Sequence, residues 1–154
     1  MQMSDENLKS DVEFVTFSAG EQSFSLEITQ VREIRRWSAV TAIPHAPVEV
    51  LGVMNLRGSV IPIYDLAARF GLGATKENPR NVIVVAMHGN QTVGLLVEAV
   101  SEILSVSRDK IQDTPDIRSD MARQSITGVI PIEEGMTRVI DLGAVLHPSA
   151  RVVS

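Results

Sequence analysis

The sequence predicts an all-β chain, mainly strand with short helices, folded as two small antiparallel barrels packed about a pseudo-two-fold axis. An internal duplication, period-two strands and glycine-bearing turns carry that expectation. In the duplication, Gly20, Gln22, Phe24, Leu26, Ile28, Val31, Glu33 and Ile34 fall opposite Gly89, Gln91, Val93, Leu95, Val97, Val100, Glu102 and Ile103, always 69 positions apart. Gly52, Val53, Leu56, Asp65 and Leu66 then fall opposite Gly128, Val129, Ile132, Asp141 and Leu142, 76 positions apart. The change of offset lies between these stretches, where the second copy carries the longer loop Asp109 to Gln124.

The polar, mixed-charge start lacks the basic residues and apolar stretch of a secretory signal, so residues 1–12 are expected to be a flexible tail, as are 147–154. Glu13 to Phe17 and Asn81 to Val85 are β-branched or aromatic runs, each followed by a turn, at Ala19-Gly20-Glu21 and His88-Gly89-Asn90. Phe24, Leu26 and Ile28 alternate with Ser25, Glu27 and Thr29, the pattern of a strand with one wet face. Across Val93 to Leu104, Leu96, Val100 and Ile103 also fit one helical face; the repeat favours strand. Pro44 to Pro47 interrupts pairing, and Arg57-Gly58 makes a tight turn between Val53–Leu56 and Ser59–Ile63. Asp65 and Asp141 are placed to cap a short helix in each half, and Gly71 to stop the first. The repeats divide one domain, 13–146, into barrels at about 13–80 and 81–146.

Composition narrows the function. A net charge of -5, with no basic run longer than Arg35-Arg36, disfavours nucleic acid. The chain has no cysteine, hence no disulfide and no thiolate nucleophile, and its longest apolar runs are too short to span a bilayer. With six aromatic residues in all, counting Trp, Tyr and Phe, a partner surface is expected to be aliphatic.

A duplicated barrel with one Asp per half invites comparison with a carboxylate dyad, but Asp65-Leu-Ala and Asp141-Leu-Gly lack the hydroxyl that follows the aspartate in that plan. His45, His88 and His147 have no ligand spacing, no Gly-x-Ser-x-Gly elbow occurs, and Gly71-Leu-Gly73 lacks the rest of a phosphate loop. Arg32, Arg35, Arg36 and Trp37 read as a solvated strand edge. No catalytic residue, metal or cofactor is expected.

At Val31-Arg-Glu-Ile34, Gly52-Val-Met-Asn-Leu-Arg-Gly58, Val60-Ile-Pro-Ile-Tyr-Asp-Leu66, Val93-Gly-Leu-Leu-Val97 and Thr127-Gly-Val129 the sequence resembles the CheW-type coupling proteins of bacterial chemotaxis, over about Glu13 to Leu146. The stretch from Asn55-Leu-Arg-Gly58 to Asp65-Leu66 is its most specific part. The resemblance implies two five-stranded, SH3-like barrels and a cytoplasmic, non-enzymatic adaptor, monomeric when isolated and recruited to membrane receptor arrays. Its implied partners are the regulatory domain of the histidine kinase CheA and the cytoplasmic hairpin tip of a chemoreceptor. Motif match places Val31, Glu33, Arg57, Gly94, Val100 and Ile103 at the receptor groove. There Val31, Val100 and Ile103 would supply an aliphatic trough, Gly94 a close backbone approach, and Arg57 a partner for a carboxylate or a brace for its turn. Kinase contact is expected through an exposed strand, with no residues assigned. Two alternatives stand beside this reading: an adaptor of another chemosensory pathway, controlling surface motility or pili, and an acid-base hydrolase using Asp65 and Asp141.

Overall fold

The computed structural model describes residues 11–113 and 125–146. Among these residues lie β1 (Asp11–Ala19), β2 (Gln22–Glu27), β3 (Val31–Arg36), β4 (Val50–Leu56), β5 (Ser59–Asp65), α1 (Leu66–Arg69), β6 (Val82–His88), β7 (Gln91–Val97), β8 (Ala99–Ser107), β9 (Ile126–Ile132), β10 (Gly135–Ile140) and α2 (Leu142–Leu146). Two-residue turns at Gly20-Glu21, Arg57-Gly58 and Gly89-Asn90 join hairpins where the sequence puts them. The N-terminal tail is shorter than expected, because Asp11 and Val12 already belong to β1 and Val12 is buried in a core cluster. The segment 147–154 and most of the long second-copy loop lie outside the described residues.

The strands form two five-stranded sheets, ordered β8-β1-β2-β10-β9 and β3-β6-β7-β5-β4. This corrects the division into barrels 13–80 and 81–146. One sheet takes the contiguous strands β3 to β7, and the other takes the strands on either side of them. The described residues divide similarly into two compact units, an inserted one of 17–22 and 29–100 and a flanking one of 11–16, 23–28, 101–113 and 125–146. The repeat still holds: under the offsets of the sequence, β1 to β5 correspond to β6 to β10, and the two sheets then have the same strand order.

The physical reason lies in the connections. A single residue, Glu98, separates β7 from β8, and a three-residue 3-10 turn, Ile28–Gln30, separates β2 from β3. A hairpin reverses direction most readily over two residues in a positive-φ turn, and one residue is too few. β8 therefore leaves the sheet of β7 and joins the other. Each sheet also contains one parallel pair, β5 with β7 and β10 with β2, so neither is purely antiparallel as the sequence suggested. Parallel neighbours need a long crossover, which α1 and the segment following it supply between β5 and β7.

In the inserted unit, Met54, Ile61, Ile63, Ile83, Val85 and Leu96 form a core cluster against which Trp37 and Leu56 pack. In the flanking unit, Val12, Phe14, Ile130 and Val139 do the same with Leu104, Val106 and Ile111. The parallel pair of the flanking unit carries a hydroxyl chain, in which Ser23 Oγ donates to Thr137 Oγ1 at 2.8 Å and Thr137 Oγ1 lies 2.6 Å from the buried Ser25 Oγ. Because a buried hydroxyl left without a partner costs about 1–3 kcal/mol, these three residues fix one another.

Each sheet is closed by an isolated bridge from the segment that follows its β3 or β8 edge. Thr41 and Val53 exchange two backbone hydrogen bonds of 2.9 Å, and Gln112 and Val129 two of 2.8 Å. The residue before each bridged valine is a repeated glycine. A Cβ on Gly52 would lie 2.0 Å from the Thr41 carbonyl oxygen, and one on Gly128 would lie 2.8 Å from that of Gln112. The repeat Gly-Val is thus the place where a crossing backbone lies against the strand.

Candidate functional site

Both aspartates act as caps. Asp65 is buried; its Oδ1 accepts from Ala68 N at 3.3 Å and from Thr75 Oγ1 at 2.6 Å, and its Oδ2 accepts from Thr75 N at 2.8 Å. Asp141 Oδ1 accepts from Ala144 N at 3.1 Å. Capping of this kind accounts for both residues without a reacting proton, as the sequence reading expected. Gly71 ends α1 in a left-handed conformation, with Gly71 N donating to Ala68 O at 3.0 Å and Leu72 N to Ala67 O at 2.8 Å. This double bond pattern closes a helix C-terminus, which explains Gly71 without a phosphate. His45 and His88 are exposed, and His147 lies outside the described residues. Among the described residues no group of three His, Cys, Asp or Glu side chains could hold a metal ion.

Two of the expected docking residues come together. Arg57 Nη2 donates to Glu33 Oε1 at 3.0 Å, joining the β4–β5 turn to β3. Arg35 Nη1 donates to the other carboxylate oxygen at 3.4 Å. The hydrogen bond from Arg57 is the main reason the Glu33 carboxyl is held below the ordinary carboxylate range; the charges of Arg57 and Arg35 add to it, against partial desolvation. The sequence reading of Arg35 as a merely solvated edge residue missed this second contact. Its signal was the alternation of β3, which puts Val31, Glu33 and Arg35 on the half-buried face and Arg32, Ile34 and Arg36 on the exposed one.

Arg57 keeps 69% of its side chain exposed and has φ +50, with Gly58 at φ +90 and Asn55 Oδ1 accepting from Gly58 N at 3.0 Å. Positive φ at both central positions is what a two-residue hairpin turn of right-handed twist requires. A side chain other than Gly, Asn or Asp there costs roughly 1–2 kcal/mol, so the position is occupied at some expense to the fold.

Val31 is half-buried at the start of β3, paired with Ala86. Val100 is half-buried at the start of β8 and lines a broad groove of about 960 Å³ together with Gly20, Leu72, Thr75 and Glu98. Ile103, further along β8, is 60% exposed. Gly94 departs from its expected role. It is buried in the middle of β7, where a Cβ would lie 2.5 Å from Ile63 Cδ1 and 2.9 Å from Ile83 Cγ2, so its bare backbone makes room for the core rather than for an approaching helix. Gly94→Ala is accordingly expected to lower stability by about 1–3 kcal/mol, read as a shift in urea midpoint at unchanged slope.

Among the described residues, four of the six exposed large hydrophobic side chains follow the repeat, Ile43 and Val48 being the other two. Ile34 and Ile103 occupy equivalent positions on β3 and β8, and Val60 and Met136 equivalent positions on β5 and β10. Sequence alternation alone leaves such residues looking like core, because it does not say which face of a strand is covered.

The CheW-like domain family matches residues 13–149. The chain is 48% identical over 139 residues to a chemotaxis protein CheW of Rhizobium meliloti, covering 90% of each chain. It is 28% identical to protein FrzA of Myxococcus xanthus, covering 77% of this chain and 73% of that one. Its fold is similar to the crystal structure of the scaffolding protein TtCheW from Thermoanaerobacter tengcongensis, with a TM-score of 0.79 and 30% identity, covering 87% and 86% of the two chains.

Proposed function

The chain belongs to the CheW-like domain family, and from that premise we propose that it is a chemotaxis adaptor, coupling chemoreceptors to the histidine kinase CheA as a scaffold without turnover. The observation that carries this reading is the family match over nearly the whole chain, joined to a fold like that of a scaffolding CheW. The adaptor binds receptors and kinase; its finer contacts are the receptor's cytoplasmic hairpin tip and the regulatory domain of CheA. It works in the cytoplasm, is drawn to membrane receptor arrays through its partners, and is a monomer when isolated. Among the described residues no helix is long and apolar enough to cross a membrane. The 48% likeness to a chemotaxis protein favours chemotaxis over the other chemosensory pathways to which FrzA, at 28%, gives a thinner link.

As a reading of the site, Val31, Val100 and Ile103 offer aliphatic contact to a receptor helix, and the Arg57–Glu33 pair fixes its register. An adaptor of this kind acts by linking two binding equilibria, typically through about 1–3 kcal/mol of coupling. Arg57→Glu sets two carboxylates against each other, removes the cation from the surface and leaves the core untouched. It is expected to weaken binding of a receptor cytoplasmic fragment by about tenfold or more in titration calorimetry, while the kinase regulatory domain binds as before. Unchanged receptor affinity would remove Arg57 from the groove. If a pull-down on the wild-type chain from native cytosol yields neither a histidine kinase nor receptor fragments, the adaptor reading itself fails.

A further inference from the structure

A second feature of the inserted unit deepens that reading and rests on it. Beside the β4–β5 turn lies a cleft of about 260 Å³, floored by Leu56, Ile61, Val85 and Met87 and rimmed by Arg32 and Arg57. Ile61 and Val85 belong to the core cluster, so the cleft opens the core to the surface at this end of the sheet. Its volume is below the roughly 300–1,000 Å³ of sites that enclose a drug-sized ligand, and suits one inserted aliphatic side chain instead.

Charge narrows the occupant further. The chain as a whole carries -5, yet the residues lining the cleft include two arginines and neither Asp nor Glu. Glu33, bonded to Arg57, also bonds to Arg35, so the one carboxylate beside the cleft is shared by two arginines. Arg32 is exposed on β3 and makes no ion pair among the described residues. Addition of a partner strand to β4 is blocked at Val53, where Thr41 already takes the backbone groups. What remains is insertion of a side chain.

We propose that this cleft is an anchor pocket for an acidic amphipathic helix of the chemoreceptor: one leucine-sized side chain enters between Leu56 and Met87, and carboxylates one turn away on the same face meet Arg32 and Arg57. Residues three or four apart share a helix face, which sets that spacing. Charge-assisted contacts to arginine give the segment its orientation.

The test uses a synthetic helical peptide carrying one leucine with glutamates a turn to either side, and a twin with glutamines in their place, titrated by fluorescence anisotropy against the full chain at low salt. Wild type is expected to bind the glutamate peptide about tenfold more tightly than its twin. Arg32→Glu should abolish that preference, Arg32→Lys should keep most of it, and Ser59→Phe, which caps the cleft from an exposed position, should weaken both peptides. Equal binding of the two peptides by wild type, or an undiminished preference in Arg32→Glu, overturns the pocket. If Arg32→Glu also binds receptor and kinase fragments as wild type does, the pocket fails while the adaptor reading stands; if wild type binds neither fragment, it is the adaptor reading that fails.

Discussion

Gly52→Val should destabilise the chain by roughly 3–5 kcal/mol, combining overpacking with a disfavoured backbone conformation. At φ +152, Gly52 occupies backbone space that side-chain-bearing residues rarely adopt, and the atom its Cβ would strike is a backbone carbonyl, that of Thr41. Backbone cannot swing aside as the end of a side chain can, so the Thr41–Val53 bridge that closes the sheet must open. A control separates the two contributions. Gly58 also has positive φ, +90, but a Cβ there would meet nothing within 4 Å, and Gly58→Ala should cost only about 1 kcal/mol. Gly128→Val, which meets Ile111 and the Gln112 carbonyl without the unusual φ, should fall between them at about 1–3 kcal/mol. Urea denaturation of the three variants gives the order. Equal losses at Gly52 and Gly58 would show that the crossing segment yields easily.

Asp65→Ala should cost about 2–4 kcal/mol and its repeat counterpart Asp141→Ala about 1 kcal/mol. The difference comes from Thr75. At Asp65 the carboxylate caps α1 and also holds the amide and hydroxyl of Thr75, all in a buried setting. At Asp141 the cap to Ala144 is the side-chain contact on which the comparison rests, and the residue is only half-buried. Thermal melts of the two variants and of Thr75→Val test this. Thr75→Val should recover part of the Asp65→Ala loss and leave Asp141→Ala unaffected; equal losses in the two aspartate variants would mean that the Thr75 contacts contribute nothing.

The contrast between these aspartates shows where sequence reasoning holds and where it stops. Capping was legible because the rule is local: an Asp before an apolar helical turn, with Gly71 after it. The hairpin turns at Gly20, Arg57-Gly58 and Gly89 were legible for the same reason, and the repeat gave the equivalence of ten strands. The strand partnerships were not. A constant offset says that β2 corresponds to β7, but not that β2 lies beside β10. The clue was the single residue Glu98, too short for a reversal, which reads as unremarkable until both flanking strands are known. Gly94 failed differently. Its place in the motif was sound, yet only the packing of Ile63 and Ile83 around it reveals which neighbour needs the space. The Arg57–Glu33 contact bridges 24 positions, and a pair at that separation leaves no local pattern.

The nesting of one sheet within the other gives synthesis of this protein a definite schedule. Once residue 97 has left the ribosome, every strand of the inserted sheet is present and can pair. The β1–β2 hairpin, made earlier, has to wait, because Ser23 meets Thr137 on a strand translated more than a hundred residues later. During that interval Phe14 and Phe24, buried in the finished protein, lack their complete cover, and this is the stage at which a nascent chain is most open to aggregation or to chaperone capture.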